Sequence, residues 1–174
     1  MKQILVVVDM QNDFISGSLG TKEAINAVPH ALALIESKKW DKIIATYDTH
    51  HGNYLNTQEG KNLPVIHCIE GTKGWELEEN ILSAITAAAP CEKILKEQFG
   101  SLDIIGKIAE SGDEIEVTLC GVCTDICVIS NAMIIKSAFP EAKVNVAKDA
   151  CAGVTPEKHN AALDVLQSCQ INII

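Results

Sequence analysis

The sequence predicts an α/β fold of three layers, in which a mostly parallel sheet is covered by helices on both faces. Short apolar runs of strand length alternate with longer segments of helical periodicity along the whole chain. The chain is 47% hydrophobic but only 4% aromatic, which is typical of a globular α/β core filled with aliphatic side chains. Its 174 residues fit a single domain, residues 1–174, and contain no linker or internal repeat.

The strands are predicted from apolar or alternating runs that end at polar or glycine-containing turns. The first is the run Ile-Leu-Val-Val-Val, and the fourth alternates apolar Ile115, Val117 and Leu119 with polar residues at period two. In chain order, the six strands are predicted at residues 4–8, 42–47, 92–95, 114–119, 143–147 and 170–174.

Five helices are predicted between these strands, at residues 28–38, 75–88, 101–110, 124–137 and 156–167. Asn26 lies near the cap of the first and Pro29 in its first turn, while Thr124 is a suitable N-cap for the fourth. Residues 48–74 are rich in glycine, asparagine, threonine and histidine. An irregular segment of this length inside a compact domain is usually functional.

Charge and cysteine content narrow the class of partner. A formal charge of -9 disfavours binding to nucleic acid or to an anionic membrane. The apolar run at residues 4–8 is far too short to span a membrane, and no cleavage site follows it, so a cytoplasmic location is expected. Seven cysteines without a secretion signal indicate reduced thiols. The predicted partner is a small molecule.

Asp9 is the first candidate for chemistry, because ligands of parallel sheets bind beyond the carboxyl ends of the strands. It directly follows the first strand, where partial desolvation would raise the pKa of the carboxyl and suit it to proton transfer. The alternative is an aspartate that caps the following turn.

Cys127 is the second candidate, since a helix that starts near Thr124 would place it in the first turn. The helix dipole and unpaired N–H groups there favour a thiolate and could hold an oxyanion. A cysteine beside an apolar helix is more often structural. A redox pair of Cys120 and Cys123 is a further alternative, although no second pair completes a zinc site.

Lys96 is the third candidate, because it follows the third predicted strand and could reach the same sheet edge as Asp9 and Cys127. An ammonium there would stabilise both a thiolate and a carboxylate. Taken alone, Lys96 would be read as a solvated surface residue.

A fourth group of residues has the chemistry of a metal site. Asp48 and His50 are two residues apart at a strand end, and His67 lies across the following loop, which suits nitrogen and oxygen ligation with room for water. Taken alone, either histidine would be read as a hydrogen-bonded loop residue. His51 is expected to point away from the other ligands.

Three separated motifs together resemble the isochorismatase-like cysteine hydrolases. They are Asp-Met-Gln-Asn-Asp-Phe at residues 9–14, Lys-Glu-Gln-Phe at 96–99 and Gly-Val-Cys-Thr-Asp-Ile-Cys-Val at 121–128, and the resemblance continues through residues 149–154. It implies the Rossmann-like fold of these hydrolases, with Cys127 as nucleophile, Asp9 as general base and Lys96 as third member of a triad. It also implies a cis peptide before Cys123, and an oxyanion held by the backbone N–H groups of Cys123 and Cys127.

Residues 48–50 and 67–74 resemble the metal motifs of the nicotinamidase branch of these hydrolases. The resemblance implies a divalent cation, Zn²⁺ in the first place with Mn²⁺ or Fe²⁺ as alternatives, bound by Asp48, His50 and His67. Glu59, the only acidic residue of the intervening loop, is a further candidate ligand, and water would complete the site if Glu59 points to solvent.

The substrate pocket departs from the nicotinamidase pattern at one position. Many nicotinamidases have an aromatic residue three positions before the second metal-binding histidine, where this chain has Pro64. Phe14 and Tyr54 are therefore candidates for the walls of the pocket, with ordinary packing as the alternative for both.

The implied activity is hydrolysis of the C–N bond of a small amide, through a thioester on Cys127, to a carboxylic acid and ammonia. The resemblance also implies a homo-oligomer. Three other functions stay open at this point: a family hydrolase with a different small substrate, a catalytically idle binding protein, and a thiol-redox protein that uses Cys120 and Cys123.

Overall fold

A computed structural model describes the whole chain, Met1–Ile174, and confirms the α/β fold with a parallel sheet. Six strands lie in the order β3-β2-β1-β4-β5-β6, and every neighbouring pair is parallel. The strands are β1 Lys2–Val8, β2 Lys42–Asp48, β3 Cys91–Lys96, β4 Ile115–Val122, β5 Lys143–Ala152 and β6 Asn172–Ile173.

Helices cover both faces of the sheet. They are α1 Asn12–Ile15, α2 Lys22–Glu36, α3 Gln58–Asn62, α4 Glu79–Ala88, α5 Asp103–Ala109, α6 Ile129–Ala138 and α7 Pro156–Ser168, with a 3₁₀ turn at Tyr54–Asn56 and a π-helical turn at Thr124–Val128. Helix α2 packs against α4, whereas α6 packs against both α5 and α7. The central strands β1 and β4 are buried between these two layers. None of the helices has the length and hydropathy of a membrane-crossing segment.

The first long helix begins at Lys22, upstream of the predicted start at residue 28. Its N-cap is Thr21, whose side chain accepts a hydrogen bond from the N–H of Ala24. Pro29 lies inside α2 and not in its first turn. The helix continues through the proline because a buried stripe runs along its whole length, formed by Ala24, Ala27, Ala31 and Ile35.

One other predicted helix start was wrong, and so was the predicted N-cap of the fourth helix, although that helical segment does begin at Thr124 as a π-helical turn. Helix α4 begins at Glu79 and not at residue 75, because Leu77 pairs as an isolated bridge with Gln11 and the Glu78 carboxylate caps the N–H of Ile81. Thr124 is not an N-cap: its hydroxyl lies 2.8 Å from Nδ1 of His159, and the regular part of α6 begins only at Ile129.

The carboxyl ends of four adjacent strands meet at one edge of the sheet. Strand β3 ends at Lys96, β2 at Asp48, β1 immediately before Asp9, and β4 immediately before the segment that carries Cys127. In the sheet these strands are neighbours in the order β3-β2-β1-β4. Lys96, Asp48, Asp9 and Cys127 therefore come together although they are far apart in sequence.

Candidate active site

Lys96 lies at the centre of a buried cluster at this edge. Its Nζ is 2.6 Å from Oδ2 of Asp9, 3.3 Å from Oδ1 of Asp48 and 3.5 Å from Sγ of Cys127. The side chain of Lys96 has no exposed surface, so its ammonium is neutralised by protein groups and not by solvent. The structure thus brings together the three residues predicted as a triad.

The backbone of Asp9 departs from the strand that precedes it. Its φ angle of 48° lies in the left-handed region, which is uncommon for a residue other than glycine and is concentrated at functional sites. The Thr46 hydroxyl donates a 2.7 Å hydrogen bond to Oδ1 of Asp9, which leaves Oδ2 for Lys96.

Burial controls protonation in this cluster. It raises the pKa of Asp9 from its ordinary value, while the ammonium of Lys96 opposes the shift. It raises the pKa of the Cys127 thiol well above its ordinary value, an effect that the charge of Asp9 reinforces and that of Lys96 opposes. Burial thus opposes the thiolate that the helix dipole and the unpaired N–H groups were expected to favour at Cys127.

Asp48, His50, Glu59 and His67 form a second cluster beside the first, with one possible ligand atom from each residue within 4.8 Å of all the others. Oδ2 of Asp48 lies 3.0 Å from Nε2 of His50 and 3.4 Å from Nε2 of His67. Oε1 of Glu59 lies 3.6 Å from the first of these nitrogens and 3.8 Å from the second. Glu59 therefore points inward to the cluster and not to solvent.

The donor set fits a divalent cation. Nδ1 of His67 is 2.7 Å from the carbonyl oxygen of Val65, which directs its Nε2 into the cluster, as is usual for a metal-binding histidine. Nε2 of His50 is buried, and although Oδ2 of Asp48 is 3.0 Å away, the two groups are not aligned for a hydrogen bond. Burial lowers the pKa of His50, but Asp48 and Glu59 outweigh it and raise that pKa to about 9, so the cluster attracts positive charge. His51 lies half exposed outside the cluster, as expected.

A mainly apolar cavity of about 350 Å³ opens above both clusters. Cys123 and Cys127 lie on one side of it, and Asp48, Glu59 and His67 lie on another. Its remaining lining residues are Phe14, Leu19, Thr21, Asn62, Leu63, Phe99, Ile126 and Val154. The cavity can therefore hold a small, largely apolar molecule between a thiol and a cation-binding cluster.

The two aromatic residues predicted as pocket walls differ in their placement. Phe14 lines the apolar cavity, with its ring centroid 5.5 Å from that of His67. Tyr54 does not line that cavity, which corrects the expectation for it. Its ring packs against His50 and His67 at centroid distances of 4.6 and 5.0 Å, and its hydroxyl donates to the carbonyl of Leu63. Tyr54 therefore supports the rings of His50 and His67 by packing against both of them.

Four polar residues that hold the site together were not predicted from the sequence. Besides Thr46, the Gln11 amide pairs with the backbone N–H and carbonyl of Asp48, each at 2.8 Å. Asp13 accepts from the N–H of Cys68, next to His67, and Asn131 donates to the carbonyl of Cys127. Thr46 could have been noticed as a polar residue inside an apolar strand, whereas the other three leave no such signal.

The turn after β4 brings the thiol segment close to β1. The peptide between Val122 and Cys123 is cis, in agreement with the expectation, and the Cys123 N–H donates no hydrogen bond within the protein. Gly121, which precedes this pair, has a φ angle of 123° and faces the carbonyl of Val8 so closely that a Cβ atom would overlap it. Only glycine meets both conditions without a shift of the backbone.

Comparisons with known proteins show the family of the chain. The family model described as "Isochorismatase domain" matches residues 3–174. Nicotinamidase of Schizosaccharomyces pombe is 27% identical over 205 residues, which cover 98% of this chain and 91% of that protein. The crystal structure of the Pyrococcus horikoshii pyrazinamidase in complex with zinc has a TM-score of 0.79 and 28% identity, with 100% of this chain and 99% of that one covered.

The crystal structure of a nicotinamidase/pyrazinamidase from Bacillus subtilis has a TM-score of 0.87, covers 99% of both chains and is 24% identical, so it supports the fold alone. The family model, in contrast, spans nearly the whole sequence and includes every residue of the two clusters. The chain belongs to the isochorismatase family.

Proposed function

We propose that this protein is an amidase that cleaves the C–N bond of a small amide, in the manner of a nicotinamidase, with Cys127 as nucleophile. The observation that carries the proposal is the buried contact of the Lys96 ammonium with Asp9 and with Cys127, which itself lines the apolar cavity. The similarity of the chain to the Schizosaccharomyces pombe nicotinamidase supports an amide as the substrate class. A redox role for Cys120 is disfavoured, since that thiol is fully buried and burial raises its pKa.

In the first half of the reaction, Asp9 accepts the proton of Cys127 as the thiolate attacks the amide carbon. Transfer at the moment of attack agrees with a thiol whose pKa is raised in the resting protein. The N–H groups of Cys123 and Cys127 would hold the developing oxyanion. Lys96 keeps the local charge balanced, because its ammonium contacts Asp9 and Cys127 together.

In the second half, Asp9 returns the proton to the amide nitrogen, and the C–N bond breaks. Ammonia departs, and the acyl group remains on Cys127 as a thioester. A water that loses its proton to Asp9 then attacks the thioester. The C–S bond breaks, the carboxylic acid is released, and Cys127 takes back a proton. Amide and water are thereby converted into acid and ammonia, with the protein unchanged.

Asp48, His50, Glu59 and His67 would hold the divalent cation, for which Zn²⁺, Mn²⁺ and Fe²⁺ all suit the nitrogen and oxygen donors. As a Lewis acid, the bound cation would fix a lone pair of the substrate, such as that of a ring nitrogen, and so orient the amide. Phe14, whose ring lies against His67, would contact the body of the same substrate.

The direct test is ammonia release from a panel of small neutral amides that includes nicotinamide, pyrazinamide, benzamide and aliphatic amides. We expect turnover of at least one of them by the metal-loaded protein and a loss of turnover after removal of the metal by a chelator. Absence of turnover for every amide in the presence of Zn²⁺, Mn²⁺ or Fe²⁺ would contradict the proposal.

Replacing Glu59 tests whether this residue completes the metal site. Glu59→Gln keeps the size of the side chain but removes its charge, so we expect affinity for Zn²⁺ to fall by about tenfold or more. The measurement is competition with a chromophoric chelator. The matched control is Glu76→Gln, an exposed glutamate outside the cluster, which should leave the affinity unchanged. Equal affinities of the two variants would show that Glu59 is not a ligand.

The pH profile tests Asp9 as the base. Asp9 must be ionised to accept a proton, so kcat/KM should fall as the pH decreases through its raised pKa. The Thr46 hydroxyl stabilises the ionised form and lowers this pKa, so Thr46→Val should move the acid limb to higher pH, by about one pH unit or less. Ser101→Ala removes another buried hydroxyl, which accepts from the N–H of Asp103 and makes no hydrogen bond to Asp9, and it should leave the limb in place. A shift to lower pH in Thr46→Val would contradict the assignment.

Family resemblance also leads us to propose a homo-oligomer. Sedimentation equilibrium of the purified protein tests it, and a single species with the mass of one 18.7 kDa chain would contradict it.

A further inference from the structure

A second cavity lies on the other side of the metal cluster. It has a volume of about 470 Å³, and most of the residues that line it are polar. Glu59, Asn62 and Phe99 line both this cavity and the apolar one, so these three side chains form the partition between them. His50 lines only the polar cavity, whereas Asp48 and His67 line only the apolar one.

The cation-binding cluster is therefore accessible from two directions. From the polar cavity, the first ligand groups are His50 and Glu59. His50 is only 6% exposed, and its Nε2 lies beside the Asp48 and Glu59 carboxylates without an aligned hydrogen bond, so a metal-ligating atom of the cluster belongs to a residue of the polar cavity. A buried nitrogen without an aligned hydrogen bond is costly unless a ligand occupies it.

The mouth of the polar cavity is acidic. His51 and Glu97 line it, and the His51 ring lies between two carboxylates, with Nδ1 3.7 Å from Oε2 of Glu70 and Nε2 3.5 Å from Oε1 of Glu97. All three side chains are open to solvent. No lysine or arginine lines the cavity, so the field there attracts cations.

We propose that the polar cavity is the entry route of the divalent cation, and that His51, Glu70 and Glu97 capture the hydrated ion at its mouth before it passes to Glu59 and His50. The apolar cavity would then serve the substrate alone. The metal ion could then bind or exchange without passing through the apolar cavity that holds the amide. The apolar lining offers few oxygen or nitrogen atoms that could replace the water molecules of a hydrated ion.

Uptake of Co²⁺ by the metal-free protein tests this route, because the visible absorption of Co²⁺ changes when histidine and carboxylate ligands bind it. The readout is the rate of this change in a stopped-flow instrument, and it is independent of amide hydrolysis. Removing one charge at the mouth by Glu97→Gln should slow uptake about threefold at low ionic strength. The difference should shrink at about 0.5 M salt, where charges are screened over a few ångströms.

A pair of bulky substitutions separates the two routes. Gln98→Trp narrows the polar cavity at an exposed residue without a side-chain hydrogen bond, and Val154→Trp narrows the apolar cavity at another exposed position. We expect severalfold slower uptake for Gln98→Trp, an unchanged rate for Val154→Trp, and the same final spectrum for both. Faster or equal uptake in Gln98→Trp, or slower uptake only in Val154→Trp, would overturn the proposal. So would a protein that shows no Co²⁺ spectrum at all.

Discussion

Cys127→Ala should abolish amide hydrolysis. Without the sulfur no thioester can form, and the remaining groups can only bind and polarise the amide. Loss of a catalytic nucleophile typically lowers kcat by about 10⁴-fold or more, so the variant should fall to the detection limit of an ammonia assay. Its fold should persist, because the side chain is small and alanine fits the same space.

Two further cysteine variants serve as controls that separate the loss of the Cys127 thiol from the loss of any other thiol. Cys91→Ala, at an exposed position on β3 away from the cavity, should retain full activity. Cys123→Ala should retain much of it, because the proposed contribution of Cys123 is its backbone N–H and not its thiol. Activity in Cys127→Ala close to that of the parent would rule out the thioester mechanism. Loss in Cys123→Ala as complete as in Cys127→Ala would instead indicate a role for two thiols.

Lys96→Met should lower both stability and activity. The substitution leaves Asp9 and Asp48 buried without their shared cation, and breaking a buried ion pair in this way typically costs about 3–5 kcal/mol. Activity should fall as well, since Asp9 without Lys96 holds its proton more tightly and no longer accepts that of Cys127. Urea unfolding monitored by circular dichroism measures the first effect, and ammonia release in the folded fraction measures the second.

The matched control for this variant is Lys158→Met, which removes an exposed lysine of α7 that forms no ion pair. It should change the free energy of unfolding by no more than about 0.5 kcal/mol. A Lys96→Met protein as stable and active as Lys158→Met would show that the buried ion cluster has neither role. If the Lys96→Met protein is less stable but keeps its turnover, Lys96 has only a structural role.

The sequence was sufficient for the order of the six strands and the five longer helices, because strand-length and helix-length segments alternate and each connection is long enough for a crossover helix, but the short helices α1 and α3 were not predicted. It was insufficient where tertiary contacts override local signals. Pro29 suggested a helix start, but the buried alanine stripe extends α2 upstream to Lys22. Strand β5 continues to Ala152, past the polar pair Lys148 and Asp149, because β4 pairs with it through a shift in register.

The ends of the strands made the positions of Asp9, Asp48 and Lys96 predictable, since all parallel strands terminate at one edge. The inward direction of Glu59 was not predictable, because it depends on the loop that folds Tyr54 beneath the histidines. Nor was the direction of the pKa shift of Cys127. Its position in a turn favoured a thiolate, whereas the packed structure buries the thiol, and burial raises its pKa.

Gly121 holds one distance in the site constant, whereas other parts of the site can change independently of it. The closeness of its backbone to the Val8 carbonyl sets the spacing between the end of β1, which carries Asp9, and the segment that carries Cys127. The walls of the apolar cavity come from other loops and helices, such as Leu19, Leu63 and Val154. Changes in those walls can thus alter the cavity while the distance between Asp9 and Cys127 stays constant, whereas a side chain at position 121 would disturb that distance in every such variant.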